Sequence, residues 1–468
     1  MTSSHDVRLV GLHAYLIPVA MRVPLKFGSE SIDSVNCLRI AATVEGSDGR
    51  TSTGWGETPL SVTWAWPSAE LDYDTRLAAM VKVAKKMANQ FVADRPSGHP
   101  MHIGQHLIEN IVRPHHDAQS SDATDGSDPA TPHLAALVIA SAMDIAVHDA
   151  YGRHHGRDIY ELYGQDHLPD DLSHFVRPEE NPDQLRGRYL SDLITSQPPK
   201  KLPVWHLVGG LDALDTTDLV GDEPDDGYPV TLRQWIERDG LSHLKIKLRG
   251  NDADWDEQRI RRVHEIASPF GGATLSVDFN CTVHDPAYVN EILDELRHDA
   301  PEIFDAILYV EQPFPYDLDA HQIDVRSVSQ RKPLFLDESA HDWQFVRLGY
   351  SLGWSGVALK TCKTQTGALL SMAYAKSVGM PLMVQDLTNP MLAQIPHVRL
   401  AAHVGTIAGV ESNGMQFYPD ASLPEAKVHP GLYRRRDGVL DLTTIGKEGF
   451  GYRLEEIERT LPEPVFEV

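Results

Sequence analysis

Between residues 203 and 412 this chain repeats short apolar runs that end in charge. The runs are Val204-Trp-His-Leu-Val, Leu244-Lys-Ile-Lys-Leu, Leu275-Ser-Val-Asp-Phe-Asn, Ile307-Leu-Tyr-Val-Glu, Leu334-Phe-Leu-Asp-Glu, Val357-Ala-Leu-Lys and Leu382-Met-Val-Gln-Asp, with Ala408-Gly-Val-Glu-Ser as a candidate eighth. Helix-length segments separate them. Strands alternating with helices make right-handed βαβ units and a parallel sheet. Seven or eight such units fit a closed α/β barrel better than an open doubly wound sheet. The open sheet would need a glycine fingerprint after its first strand to hold a dinucleotide, and none is present.

The charged ends fall where a parallel barrel builds its active site. Lys245 and Lys247 are two apart and share one side of a strand, as do Asp278 and Asn280. Glu311 ends the next run. Asp337 and Glu338 end the one after; being adjacent, only one should point inward, and Glu338 is expected to turn away. Lys360 ends the sixth. A lone Lys-x-Lys carries almost no information, and an acid beside a lysine can be a plain ion pair. Successive strands ending in the order lysine pair, acid, acid, acid, lysine are hard to obtain by chance. Three converging carboxylates repel unless a cation joins them, and hard oxygen ligands suit Mg²⁺. A substrate carboxylate on that ion would have a more acidic α-proton, because the enediolate formed is stabilised. A lysine base must be tuned from about 10.4 toward 7–8, and neighbouring positive charge works in that direction.

The rest of the chain is less specific. Val7-Arg-Leu-Val-Gly-Leu, Cys37-Leu-Arg-Ile-Ala-Ala-Thr-Val and Thr53-Gly-Trp-Gly-Glu57 read as a small antiparallel sheet, and 68–112 as helical. Leu134 to Tyr151 is apolar nearly all round, as in a helix buried between layers. Residues 114–132 are acidic and low in complexity, which predicts an exposed or disordered loop. Residues 165–202 and 209–230 read as long loops. The net charge of −25 argues against a nucleic-acid or anionic-membrane partner. No run of 18 apolar residues predicts a membrane span. Cys37, Cys281 and Cys362 are too few and too far apart for a disulfide framework, so reduced thiols and a cytoplasmic location are expected. The 23 histidines, including His115-His116 and His154-His155, show no metal-ligand spacing and are expected at the surface.

With these residues in view, the chain resembles the enolase superfamily, in its mandelate racemase and muconate lactonizing enzyme branch. The matching pieces are Leu244-Lys-Ile-Lys-Leu, Val277-Asp-Phe-Asn, Val310-Glu-Gln-Pro, Leu336-Asp-Glu-Ser and Ala358-Leu-Lys. Ala142-Met-Asp-Ile-Ala-Val-His-Asp-Ala-Tyr-Gly, Gly54-Trp-Gly-Glu57 and Gly446-Lys-Glu-Gly-Phe-Gly also match. The resemblance implies a modified (β/α)₇β barrel, TIM-like, under an N-terminal α+β capping domain. Expected bounds are 1–132 for the cap, 133–430 for the barrel with insertions at 165–230, and 431–468 for a segment returning to the cap. It implies Mg²⁺ held by Asp278, Glu311 and Asp337, with Lys247 and Lys360 as acid/base catalysts on opposite faces of a small carboxylate substrate. Lys245 would tune Lys247 or touch the substrate carboxylate, and Asn280 would sit beside the metal. The seventh strand, Val384-Gln-Asp-Leu-Thr-Asn389, carries no histidine, since His397 and His403 fall in an expected helix. This matches the two-lysine, muconate lactonizing subgroup. The chain departs from that subgroup at Gln365-Thr-Gly-Ala and at Asn389, so the substrate stays open. Loops over the barrel mouth should choose it, with Phe27, Trp64 and Trp66 as candidate walls and Asp386 beside the site. A homo-oligomeric racemase or epimerase is the leading expectation. A cycloisomerase, a β-eliminating lyase or a catalytically silent carboxylate-binding scaffold are the alternatives.

Overall fold

The computed structural model describes residues 4–27, 30–115, 130–177 and 183–468. Its N-terminal part is an antiparallel sheet of β1 (Val7–Phe27), β2 (Glu30–Gly46) and β3 (Thr51–Pro59). β1 is far longer than the Val7–Leu12 run predicts: it stays paired with β2 in one register from Gly11 to Ala20, and pairing resumes at Leu25 after a register shift. The stretch leading to Phe27, expected among the loops over the mouth, is strand instead, with Leu25 opposite Ile32. Tyr73–Asp94 forms helix α1, started by Asp72, whose carboxylate accepts the Thr75 amide.

Helix α2 (His133–His154) lies across this sheet. Its apolar surface on all sides is explained by neighbours on all sides: β2 and β3 on one flank, the barrel's Gln365–Ser377 helix on another. β3 approaches so closely that only glycine fits there. A Cβ at Gly54 would stand 2.0 Å from the Ala150 nitrogen, and one at Gly56 2.2 Å from the Ala142 carbonyl. By length and hydropathy α2 is the one helix among the described residues able to cross a membrane, and it is wholly buried in the protein.

Eight parallel strands follow: β4 (Lys201–Val208), β5 (His243–Lys247), β6 (Thr274–Asp278), β7 (Ile307–Glu311), β8 (Leu334–Leu336), β9 (Gly356–Leu359), β10 (Leu382–Val384) and β11 (Val410–Glu411). Neighbours run β10-β9-β8-β7-β6-β5-β4-β11, and the Ile407 amide reaches the Leu382 carbonyl where β11 comes back to β10. Every apolar run singled out in the sequence is a strand, the eighth included. The sheet is a nearly closed barrel beside a separate antiparallel sheet, as the (β/α)₇β expectation requires. Inside it, Trp205, Tyr309, Phe335 and Met383 fill a layer beneath the charged ends. The last strand, β12 (Phe466–Glu467), pairs with β1, so the C-terminal segment lies on the N-terminal sheet.

The low-complexity loop at 114–132 falls almost wholly outside the described residues, as does His116. Cys37 and Cys362 are buried, Cys281 is partly so, and all three are free thiols. The histidines depart from expectation. His148, His206, His397 and His429 are fully buried because each has a hydrogen-bond partner inside: the Thr366 hydroxyl, the Arg435 guanidinium, the Glu411 carbonyl and the Tyr452 carbonyl.

Candidate active site

The strand period of two sets the site. Leu207, Lys245, Lys247, Asp278 and Glu311 point to the barrel axis from β4 to β7. Asp337, Lys360, Gln385 and Glu411 arrive at the same level from the ends of β8 to β11. In a ring of eight strands β5 and β9 stand opposite each other. Lys247 and Lys360 therefore face one another across the mouth, with the three acids of β6, β7 and β8 along the arc between them. Both lysines line one small cavity of about 30 Å³ together with Trp64, Lys245, Asp337 and Asp386.

Each acid is drawn to an ammonium group. Lys247 Nζ lies 2.5 Å from Asp278 Oδ2. Lys245 Nζ sits among three carboxylates, 2.5 Å from Glu311 Oε1 and 3.1 Å from both Asp278 Oδ2 and Glu411 Oε2. Lys360 Nζ is 3.1 Å from Asp337 Oδ2 and donates to the Asp386 carbonyl at 3.1 Å. Burial alone would lower the pKa of Lys245, but Glu311, Glu411 and Asp278 outweigh it and raise the group well above its ordinary value. Lys360 is raised in the same way, burial being outweighed by Asp337. Burial also raises Glu311, and its neighbours Asp278 and Asp337 add to that.

The three acids do not close on one point here. The ligand sets whose atoms lie within 4.8 Å of one another among the described residues are elsewhere. The residues nevertheless fit a divalent cation by charge. Six carboxylates (Asp278, Glu311, Asp337, Glu338, Asp386, Glu411) meet four ammonium groups (Lys245, Lys247, Lys360, Lys363), all buried except the partly buried Lys247. Two formal negative charges are left over. Asp337 Oδ1 and Glu338 Oε2 are buried without a hydrogen bond. A buried surplus of this kind is costly until a cation offsets it.

Glu338 is a correction. It is buried, accepts the Trp64 indole N–H at 3.0 Å and lies within the electrostatic reach of Asp337 and Asp278. Strand geometry ends at Leu336, so alternation no longer governs 337 and 338. Asn280 likewise lies past the end of β6 in left-handed backbone, φ 49°. What it gives Asp278 is a main-chain N–H at 2.9 Å. Trp66 is also corrected: it is buried in the cap core, its carbonyl accepting from Arg76, and does not line the mouth. Its neighbour Trp64 does, 5.4 Å over Lys360 and 5.7 Å over Lys363. The Phe27 side chain lies outside the described residues. Asp386 lines the cavity, and its carboxylate is fixed by the Asn413 amide and the Asn389 and Asn413 main chain.

Four members were missed. Glu411 ends β11 as the other charges end their strands, a signal present in the sequence. Gln385, donating to Glu311 Oε2 at 2.5 Å, holds the same place on β10. Asn413 bridges Glu411 and Asp386. Lys363 sits in a turn three residues after Lys360, 3.6 Å from Asp337 Oδ1, with no periodic signal to mark it. Next to the mouth, Trp64, Glu30, Asn280, Cys281, Tyr316 and Glu338 line a second cavity of about 470 Å³.

Residues 229–458 match the family described as enolase C-terminal domain-like. An aromatic dipeptide epimerase from Herpetosiphon aurantiacus is 26% identical over 254 residues, covering 53% of this chain and 66% of that protein, just under two thirds of its length. Among solved structures, N-succinyl Arg/Lys racemase from Bacillus cereus superposes with a TM-score of 0.63 at 18% identity, covering 98% of this chain and 99% of that one. The dipeptide epimerase from Cytophaga hutchinsonii, complexed with Mg and the dipeptide D-Ala-L-Val, gives 0.62 at 17% identity with the same coverage.

Proposed function

From the match of residues 229–458 to the enolase C-terminal domain-like family we propose that this chain is a Mg²⁺-dependent racemase or epimerase of the enolase superfamily. It would act by removing and returning the α-proton of a small carboxylate substrate. One observation carries the reading: Lys247 and Lys360 face each other across the mouth with the acids between them. An amine on each face is what inversion at carbon needs, one to take the proton and the other to give one back. The likeness to an aromatic dipeptide epimerase supports inversion.

Asp278, Glu311 and Asp337 would hold the ion. Bound there, it would withdraw charge from the substrate carboxylate and so stabilise the enediolate left when the proton goes. Lys245 neutralises Glu311 and Glu411 beneath the reacting carbon and stays charged. Lys360 Nζ, held protonated by Asp337 despite its burial, is the group poised to deliver a proton. Lys247 Nζ, the more accessible of the two, takes one from the opposite face. Trp64 covers Lys360 and separates it from the larger cavity, where the rest of the substrate would sit.

The test is α-proton exchange in D₂O over a panel of amino acids, dipeptides, sugar acids and aryl acids, with Mg²⁺ and with EDTA. Exchange should require Mg²⁺. Lys247→Ala and Lys360→Ala should each lose about 10²–10⁴-fold, each for a different enantiomer of the substrate. Exchange surviving the double substitution would overturn the assignment.

A further inference from the structure

Three histidines, His5 and the pair His155 and His167, meet at the C-terminal end of α2, away from the barrel mouth. His5 precedes β1, His155 caps the C-terminus of α2, and His167 sits in the turn that begins at Gly164. Their ring centroids are 4.4 Å (His5–His167), 5.2 Å (His155–His167) and 5.7 Å (His5–His155) apart. One nitrogen from each lies within 4.8 Å of the other two. His167 is buried and the other two are half-buried.

We propose that His5, His155 and His167 bind one borderline transition-metal ion, Zn²⁺ being the representative case, at a site separate from the barrel mouth. The donor chemistry selects the ion. Three imidazole nitrogens suit Zn²⁺, Ni²⁺ or Cu²⁺, whereas the oxygen donors of the mouth suit Mg²⁺. One ring also has its hydrogen-bonding roles set by a neighbour. His155 Nε2 lies 3.1 Å from the His5 carbonyl, which can only accept, so Nε2 carries the hydrogen and Nδ1 keeps its lone pair. A carbonyl that fixes the tautomer of a ligating ring is the usual outer support of a metal-bound histidine. His167 Nδ1 lies 3.4 Å from the Tyr151 hydroxyl, a group that can donate or accept. Nitrogens bound to one tetrahedral ion stand roughly 3.3 Å apart. The cluster therefore has to tighten by about 1.5 Å at most, a shift within reach of side-chain rotation. The ion would fasten the beginning of β1 to the end of α2 and to the first turn of the 165–202 insertion.

The neighbouring His102, Asp170 and His174 form a rival set, but there His102 Nε2 is already joined to Asp170 Oδ2 at 2.9 Å. The test uses the full-length protein with Mg²⁺ in large excess, so that the carboxylates of the mouth do not take up zinc. Zn²⁺ is titrated against a chromophoric chelator, and Co²⁺ is added separately to read its visible absorption. The wild type should hold one equivalent of Zn²⁺, and Co²⁺ should show the spectrum of a nitrogen-ligated tetrahedral site. His5→Ala and His167→Ala should each weaken binding by at least about 10-fold and bleach the Co²⁺ spectrum, while His102→Ala leaves both unchanged. Absence of zinc binding by the wild type, unchanged affinity in the His5 and His167 variants, or loss on His102→Ala alone would each overturn the site. His5→Ala alters a half-buried residue, so it stays informative if His167→Ala, at a buried position, does not fold.

Discussion

Trp64 joins the cap to the chemistry through one atom. Its indole N–H satisfies Glu338 Oε1, while Glu338 Oε2 has no hydrogen bond of its own. Replacing the donor leaves a buried carboxylate with neither oxygen satisfied, a cost of about 1–3 kcal/mol. Trp64→Phe should therefore lower the urea midpoint. Glu338→Leu removes the group that needs the donor, so the same Trp64 change in that background should cost less, with a coupling of at least about 0.5 kcal/mol in a double-mutant cycle. Additive effects would show that the contact contributes nothing. Residue by residue, the site was legible where strand alternation holds. Lys245, Lys247, Asp278 and Glu311 lie inside their strands and point as expected. Asn280, Glu338 and Lys363 lie just past strand ends, where φ/ψ is set by local turns and a period of two says nothing. Trp64 lies in a short helix, Val62–Ala65, and Trp66 just past its end, and nothing in the sequence distinguishes the one facing the mouth from the one facing the core.

At the scale of elements, the contact between α2 and the N-terminal sheet depends on a buried acid. Asp149 Oδ2 accepts the Trp55 amide at 3.0 Å, and Oδ1 accepts the Phe450 amide at 2.8 Å. One carboxylate thus ties helix, sheet and C-terminal segment. Burial pushes its pKa up to about 7, against the lowering effect of those hydrogen bonds. The folded state then binds a proton more tightly than the unfolded chain, whose aspartate titrates near 3.9. The stabilising contribution of the protonated group is complete below pH 4 and is lost as pH rises toward 7, on the order of 3–4 kcal/mol over that window. Asp149→Asn keeps an accepting oxygen but does not titrate. The stability difference, wild type minus variant, should fall between pH 4 and 7 and stay flat above; a difference independent of pH would contradict the assignment. Gly54, Gly56 and the apolar α2 were visible in the sequence as motifs, but their mutual contact was not, because no local signal states which helix a sheet packs against. The eight strands were legible because each is a short apolar run bounded by turns. The full length of β1 was not, and its last residues, 25–27, pair only past a register shift.

For the whole molecule, the decisive quantity is the charge gathered where strands from all parts of the barrel end. Six buried or nearly buried carboxylates against four ammonium groups leave a deficit of two positive charges. The fold bears part of that cost in the raised pKa of Glu311 and Glu338, which burial and neighbouring acids push toward the neutral form. Any cation that binds the folded mouth and not the unfolded chain must therefore raise stability, by about 2.7 kcal/mol at one hundred times its dissociation constant. Mg²⁺ should increase the thermal midpoint in a saturable way, and Na⁺ at equal ionic strength should not, since screening acts weakly on buried charges. Burial and the neighbouring acids raise the Glu311 carboxyl, so the gain should shrink as pH falls and protons compete for the same oxygens. Glu311→Gln removes one of the two surplus charges and one ligand together, so the Mg²⁺-dependent shift should be largely abolished while the barrel itself stays folded. Calorimetry on the wild type and Glu311→Gln across a Mg²⁺ series decides it. Equal shifts in both proteins would mean that the ion acts elsewhere, and the acids between Lys247 and Lys360 would then be ion-pair partners and nothing more.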